Sequence, residues 1–84
     1  MELNFTHKFK KDYKKLSPIL QKQVDAKMIL LTSNLSHPSL RVKKVKGCDD
    51  VYEGSISMHY RFLFSITEDG YIILRVGTYN ILEK

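Results

Sequence analysis

The chain has 84 residues, 43% hydrophobic and 27% charged, with 14 Lys and Arg against 9 Asp and Glu, a formal net charge of +5 and a pI near 9.4. This suits one small domain spanning residues 1–84 and excludes a disordered chain, and no apolar run is long enough to span a bilayer. The single Cys48 and the scattered His7, His37 and His59 make no metal-ligand pattern, so neither metal nor cofactor is expected. With no signal peptide at the start and no disulfide to form, the cytoplasm is the expected compartment.

Glu2-Leu3-Asn4-Phe5 alternates polar and apolar, as a short strand does. Thr6 can cap the segment that follows, in which Phe9, Tyr13 and Leu16 fall on one helical face and Lys8, Lys10, Lys11, Lys14 and Lys15 on the other. Ser17-Pro18 restarts the pattern, with serine as N-cap and proline in the first turn. Leu20, Val24, Met28 and Leu31, helped by Ile29 and Leu35, predict a second, longer helix that ends before His37-Pro38. The pair forms a hairpin suited to covering a sheet.

From Leu40 to Asn80 the chain reads as consecutive strands bounded by turn residues. The first runs Leu40-Arg41-Val42-Lys43-Lys44-Val45-Lys46-Gly47. The second contains Tyr52 and Ile56 on its core face, with Glu53, Ser55 and Ser57 opposite. The third turns Tyr60, Phe62, Phe64 and Ile66 inward and His59, Arg61, Leu63 and Ser65 outward. The fourth turns Ile72, Leu74 and Val76 inward and Tyr71, Ile73 and Arg75 outward. Ser57-Met58 as the hairpin link sets Glu53 against Arg61. Glu68-Asp69-Gly70 is the next turn, with glycine supplying a positive φ. The outward face is mixed and partly charged, as on a sheet with one solvated side.

Charge is unevenly spread. Through Cys48 there are 11 Lys and Arg against 3 Asp and Glu; from Asp49 onward there are 3 against 6. A basic front half suits a polyanion or an acidic protein as partner, and it also suits plain solubility. Arg61, mid-strand beside Tyr60 and His59, has two readings. One is an ion pair with Glu53 across the hairpin. The other is a guanidinium that clamps a phosphate, its fork matching two oxygens. The residues alone leave both open.

His37-Pro38-Ser39-Leu40-Arg41-Val42-Lys43-Lys44-Val45-Lys46-Gly47, Val51-Tyr52-Glu53-Gly54-Ser55-Ile56-Ser57, Tyr60-Arg61-Phe62-Leu63-Phe64 and Ile72-Ile73-Leu74-Arg75-Val76-Gly77 together resemble the RelE/ParE toxin superfamily of bacterial toxin–antitoxin systems. The likeness extends to chain length and to the Phe9-Lys10-Lys11-Asp12 helix start. It implies an α+β fold in which an N-terminal strand and a helical hairpin precede a three- to four-stranded, mainly antiparallel sheet.

The resemblance also implies a function. Most members cleave mRNA in the ribosomal A site without a metal, whereas ParE-type members poison DNA gyrase. The nuclease reaction is attack of a ribose 2′-hydroxyl on the adjacent phosphate, which needs a base, a cation and an acid. Arg61 matches the family arginine that stabilises the phosphate, and Lys43 or Lys44 offsets charge beside it. Related tails commonly carry histidine after Val-Gly, but here Val76-Gly77 is followed by Thr78-Tyr79-Asn80. Proton transfer then falls to Tyr79 or His59. RNA, including ribosomal RNA, would meet Lys8, Lys10, Lys11, Lys14, Lys15, Arg41 and Lys46. A cognate antitoxin would wrap the basic surface. A gyrase inhibitor, or a weakly catalytic toxin acting mainly through antitoxin binding, is the alternative.

Overall fold

The computed structural model describes residues 2–82, apart from the side chains of Tyr79 and Leu82. Strand β1 (Glu2–Phe5) leads into helix α1 (His7–Lys14) and helix α2 (Pro18–Ser33). A 3₁₀ turn, Pro38–Leu40, precedes strands β2 (Lys43–Lys44), β3 (Tyr52–Ser55), β4 (Tyr60–Ile66) and β5 (Gly70–Thr78), and a second 3₁₀ turn covers Tyr79–Leu82. The strands form one sheet in the order β1-β5-β4-β3-β2, with β1 parallel to β5 and the other pairs antiparallel. This is the α+β arrangement expected, with the N-terminal strand joined to the later sheet.

Both helix starts follow from their caps. The Thr6 hydroxyl accepts from the Phe9 amide at 3.0 Å, and Ser17 Oγ accepts from the Leu20 amide at 3.3 Å ahead of Pro18. The Tyr13 hydroxyl donates to Asp25 Oδ1 at 2.9 Å and Gln21 Nε2 donates to the Tyr13 carbonyl at 2.9 Å, which locks the hairpin. Phe9, Val24, Met28 and Leu31 drop onto Phe62, Phe64, Tyr71, Ile73 and Val76 to make the core, which Leu40 and Ile56 complete. Burying these apolar side chains, at roughly 1.5–3 kcal/mol each, is the main favourable term in so small a domain. Ile29 does not join them. It is 70% exposed, because it lies on the far side of α2 from Met28 and Leu31.

The sheet departs from simple alternation at one place. Phe62 faces Val76 and Leu63 faces Arg75, but Phe64 faces Ile73, so Leu74 is an extra residue in β5. The bulge reverses the faces. Tyr71 and Ile73 are buried in the core, where the sequence pattern had put Ile72 and Leu74, while Val76 keeps its inward place. Ile66, at the end of β4, is exposed rather than core.

Other expectations are corrected too. The strand expected over Leu40–Gly47 is reduced to Lys43–Lys44, because a 3₁₀ turn ends with Arg41 in the left-handed region (φ 48°) and Gly47 (φ 84°) lies in the following loop. The β3–β4 link is longer than Ser57-Met58, running from Ile56 to His59, with the Ile56 and Ser57 amides both donating to the Tyr60 carbonyl. Glu53 therefore faces Leu63, and Arg61 faces Ser55, so the expected register of Glu53 against Arg61 does not form. Gly70 has no positive φ; it is required because a Cβ there would run into the backbone of Glu2 on β1.

The outward face is less open than its composition suggests. Glu53, Ser55 and Leu63 are all buried. The C-terminal 3₁₀ turn packs against β4 and β5. Its Ile81 is buried, and a Cβ on Gly77 would stand 2.9 Å from the Ile81 Cγ2.

Candidate functional site

The fold separates charge along the strands. Glu2 begins β1, its amide donating to the Asp69 carbonyl, and Glu68 and Asp69 form the β4–β5 turn. Asp49 and Asp50 belong to the β2–β3 loop, where the Asp50 carbonyl accepts from Ser65 Oγ at 2.7 Å. These exposed carboxylates share one end of the sheet. Arg61, near the start of β4, belongs to the other end. Helix α1 starts where β1 stops, so its exposed Lys8, Lys10, Lys11 and Lys14, with Lys15 just beyond, extend toward that same end. Lys46 shares the β2–β3 loop with Asp49 and Asp50, so the separation is partial. The end that carries Arg61 and the α1 lysines is nonetheless the one that attracts a polyanion.

At that end Arg61 stands between two small neighbours, Ser55 on β3 and Gly77 on β5. Its Nη1 donates to the Ser57 carbonyl, to the Tyr60 carbonyl at 2.9 Å and to Ser55 Oγ at 3.4 Å. The β3–β4 link thus curls around the guanidinium, and oxygens of Ser55, Ser57 and Tyr60 are among the partners that hold it.

Beside Arg61 is a groove of about 380 Å³, lined also by Lys27, Arg41, Ser55, Ile56, Ser57 and Met58. Three elements contribute one cation each: α2, the turn after Pro38–Leu40, and β4. Among the described residues no carboxylate lines it. Lys27 Nζ donates to the Ser39 carbonyl at 3.3 Å, while His37 Nδ1 accepts from the Ser39 amide at 3.1 Å, so the turn that presents Arg41 is held from both sides. Arg41 also lines an adjoining groove of about 420 Å³ together with Leu35, His37, Pro38 and Val42.

The structure brings together only part of the expected set. Arg61 and Arg41 share the groove. Lys43 and Lys44 are exposed on the edge strand β2, opposite Glu53 and Tyr52, and do not line it. Lys46 lies in the loop beyond β2, and His59 is exposed in the β3–β4 link, outside the groove lining. The side chain of Tyr79 lies outside the described residues. Lys27 was not singled out by sequence; the one available signal was a lysine one residue before Met28 on an otherwise apolar-patterned helix.

A second concavity, about 350 Å³, opens between α1 and α2 and is lined by Phe5, Phe9, Tyr13, Val24 and Met28, with Lys10, Lys14 and Asp25 also on its wall. It is apolar within and mainly basic at its rim. Among the described residues no group of His, Cys, Asp and Glu is placed to hold a metal ion, and no helix is long and apolar enough to cross a membrane.

Neither a known family model nor a curated protein matches the chain by sequence. Solved structures do match by shape. YafQ from E. coli strain BL21(DE3) superposes with a TM-score of 0.78 at 18% identity, over 99% of this chain and 98% of that one. A chain of the RelB–RelE antitoxin–toxin complex from Methanococcus jannaschii gives 0.76 at 22% identity, over 94% and 93%. The YoeB/ParE toxin from Agrobacterium tumefaciens gives 0.79 at 13% identity, over 93% and 98%. The chain thus has the fold of the RelE, YafQ and YoeB toxins over nearly its whole length, as the sequence resemblance implied.

Proposed function

We propose that this chain is a toxin of the RelE/ParE superfamily, the active member of a toxin–antitoxin pair, and that it cleaves mRNA on the ribosome. The observation that carries this reading is the groove of three cations, Lys27, Arg41 and Arg61, with no carboxylate among its described lining residues and set in a RelE-like fold. In this reaction a 2′-hydroxyl attacks the neighbouring phosphorus, the P–O5′ bond breaks, and negative charge builds on the phosphate oxygens. A guanidinium already held in place by the β3–β4 link stabilises that charge without having to reorganise. We assign that role to Arg61, proton transfer to Tyr79 or His59, and a supporting electrostatic role to Lys43 and Lys44 from the sheet edge. The chemistry uses no metal. The lysines of α1 meet ribosomal RNA.

The partner is an antitoxin, as in the RelB–RelE complex whose toxin fold this chain shares. An acidic amphipathic helix suits the Phe5–Met28 groove, its apolar side inside and its carboxylates against Lys10 and Lys14. The test is induction of the chain in cells, with 5′ ends mapped on abundant transcripts, beside an Arg61→Ala strain. New ends inside translated codons that vanish with Arg61→Ala support the reading. Growth arrest with intact transcripts contradicts it in favour of a gyrase poison, and no arrest at all contradicts it in favour of an antitoxin-binding protein without activity.

A further inference from the structure

Resting on the reading of this groove as an RNA site, we infer that Lys27 and Arg41 form a second phosphate subsite, so that the groove holds two successive phosphates of one RNA strand. Arg61 serves the reacting phosphate, and Lys27 with Arg41 serves its neighbour.

Four observations converge on this. Lys27 is half-buried, yet the partner it donates to is the neutral Ser39 carbonyl, and an ammonium carries three protons to donate. Arg41 lines the same groove, and two like charges facing one groove gain from an anion placed in it. Arg41 adopts φ 48°, a left-handed conformation that strains an arginine and would not strain a glycine. The strained turn directs this side chain to the junction of two adjoining grooves, of about 380 and 420 Å³. A trench that continues on both sides of Arg41 suits a strand running past it better than a single bound phosphate.

The lining also favours RNA over an acidic peptide. Ser55, Ser57 and the three cations make about half of this groove's lining polar, with Ile56 and Met58 supplying the rest. The concavity between α1 and α2, by contrast, is almost wholly apolar, as an amphipathic helix would need. Lys27 also pins the turn that carries Arg41, so the test must separate charge from positioning.

The full chain is titrated with a labelled single-stranded RNA made uncleavable by 2′-O-methyl groups, over a series of salt concentrations. Each phosphate contact on a single strand contributes about 0.7 to the slope of log K against log salt. Lys27→Gln keeps a donor for the Ser39 carbonyl but lacks the charge. It is expected to reduce the slope by about 0.7 with unchanged melting temperature, Arg41→Gln by a similar amount, and Lys27→Arg to restore it. A parent-like slope for Lys27→Gln, with a reduced slope for Arg61→Gln, overturns the second subsite and leaves the RNA reading standing. Absence of RNA binding by the parent, or slopes indifferent to all three positions, overturns both. Tight binding of a poly-glutamate peptide in place of RNA, lost in Lys27→Gln, also overturns the inference.

Discussion

Asp12 and Arg75 join the first helix to the last strand through two parallel hydrogen bonds, Arg75 Nε to Oδ2 and Nη2 to Oδ1, each 2.9 Å. The Val76 amide adds a third bond to Oδ2 at 3.2 Å. β1 stops at Phe5, so the edge of β5 beyond it needs other partners. Thr6 takes over there, its amide donating to the Ile73 carbonyl and its hydroxyl to the Leu74 carbonyl at 2.8 Å, and Asp12 completes the run at Val76. The helix therefore continues the work of the strand, beside the bulge at Leu74, and fixes the end of β5 that carries Gly77.

This clamp makes stability depend on acid. Burial pushes the Asp12 carboxyl upward, but its bonds to Arg75 and Val76 and the charges of Arg75 and Lys15 outweigh that and hold it below the ordinary 3.8. A carboxylate with a depressed folded value adds stability that is present above the unfolded value and is lost as pH falls through the folded one. Chemical unfolding followed from neutral to strongly acidic solution should show the parent losing stability below about 3.8. Asp12→Asn should be about 1–3 kcal/mol less stable at neutral pH and lose less on acidification.

Gly54 allows Phe62 to lie flat over β3. A Cβ at this position would overlap the ring's Cζ and Cε1, and Phe62 is fully buried. Gly54→Ala should cost roughly 1–3 kcal/mol by overpacking, a large share of what so small a domain possesses. Thermal melting checks it, with a fall of about 4–8 °C per kcal/mol expected.

Arg41 should separate stability from function. Replacing it by glycine removes a left-handed strain of roughly 1–2 kcal/mol and adds unfolded-state entropy of roughly 0.4–1 kcal/mol in opposition. Arg41→Gly should therefore melt at or slightly above the parent temperature while binding RNA more weakly. A lower melting temperature would show that the side chain supports the fold.

Position in the groove should rank the cations. Arg61→Ala is expected to reduce cleavage by about 100–1,000-fold, the scale for removing one donor to a developing charge. Lys43→Gln and Lys44→Gln, on the exposed edge strand, should change it less than about tenfold and act through salt-dependent association. Rates measured at two ionic strengths distinguish these effects.

Much of this was legible from residues. Thr6 and Ser17-Pro18 announce both helix starts, and period-2 patterning identifies Phe62 and Phe64 as core. The bulge at Leu74 was not legible, because one extra residue among Ile72, Ile73, Leu74 and Val76 leaves the composition equally apolar on either face. Nor was the hairpin register, since a link from Ile56 to His59 has no glycine to mark it. That register decides which residue faces Arg61. Lys27 is not legible as a groove residue because it enters from α2, far in sequence from Arg61, and only tertiary packing unites them.

The most direct test of the proposed chemistry is a reconstituted translation reaction in which the purified chain meets ribosomes stalled on a defined mRNA. The predicted result is a cut within the A-site codon that leaves a 5′-hydroxyl end. It should be abolished by a 2′-deoxy substitution at the attacking nucleotide and strongly slowed by Arg61→Ala. An intact message, or a cut indifferent to both changes, would contradict it.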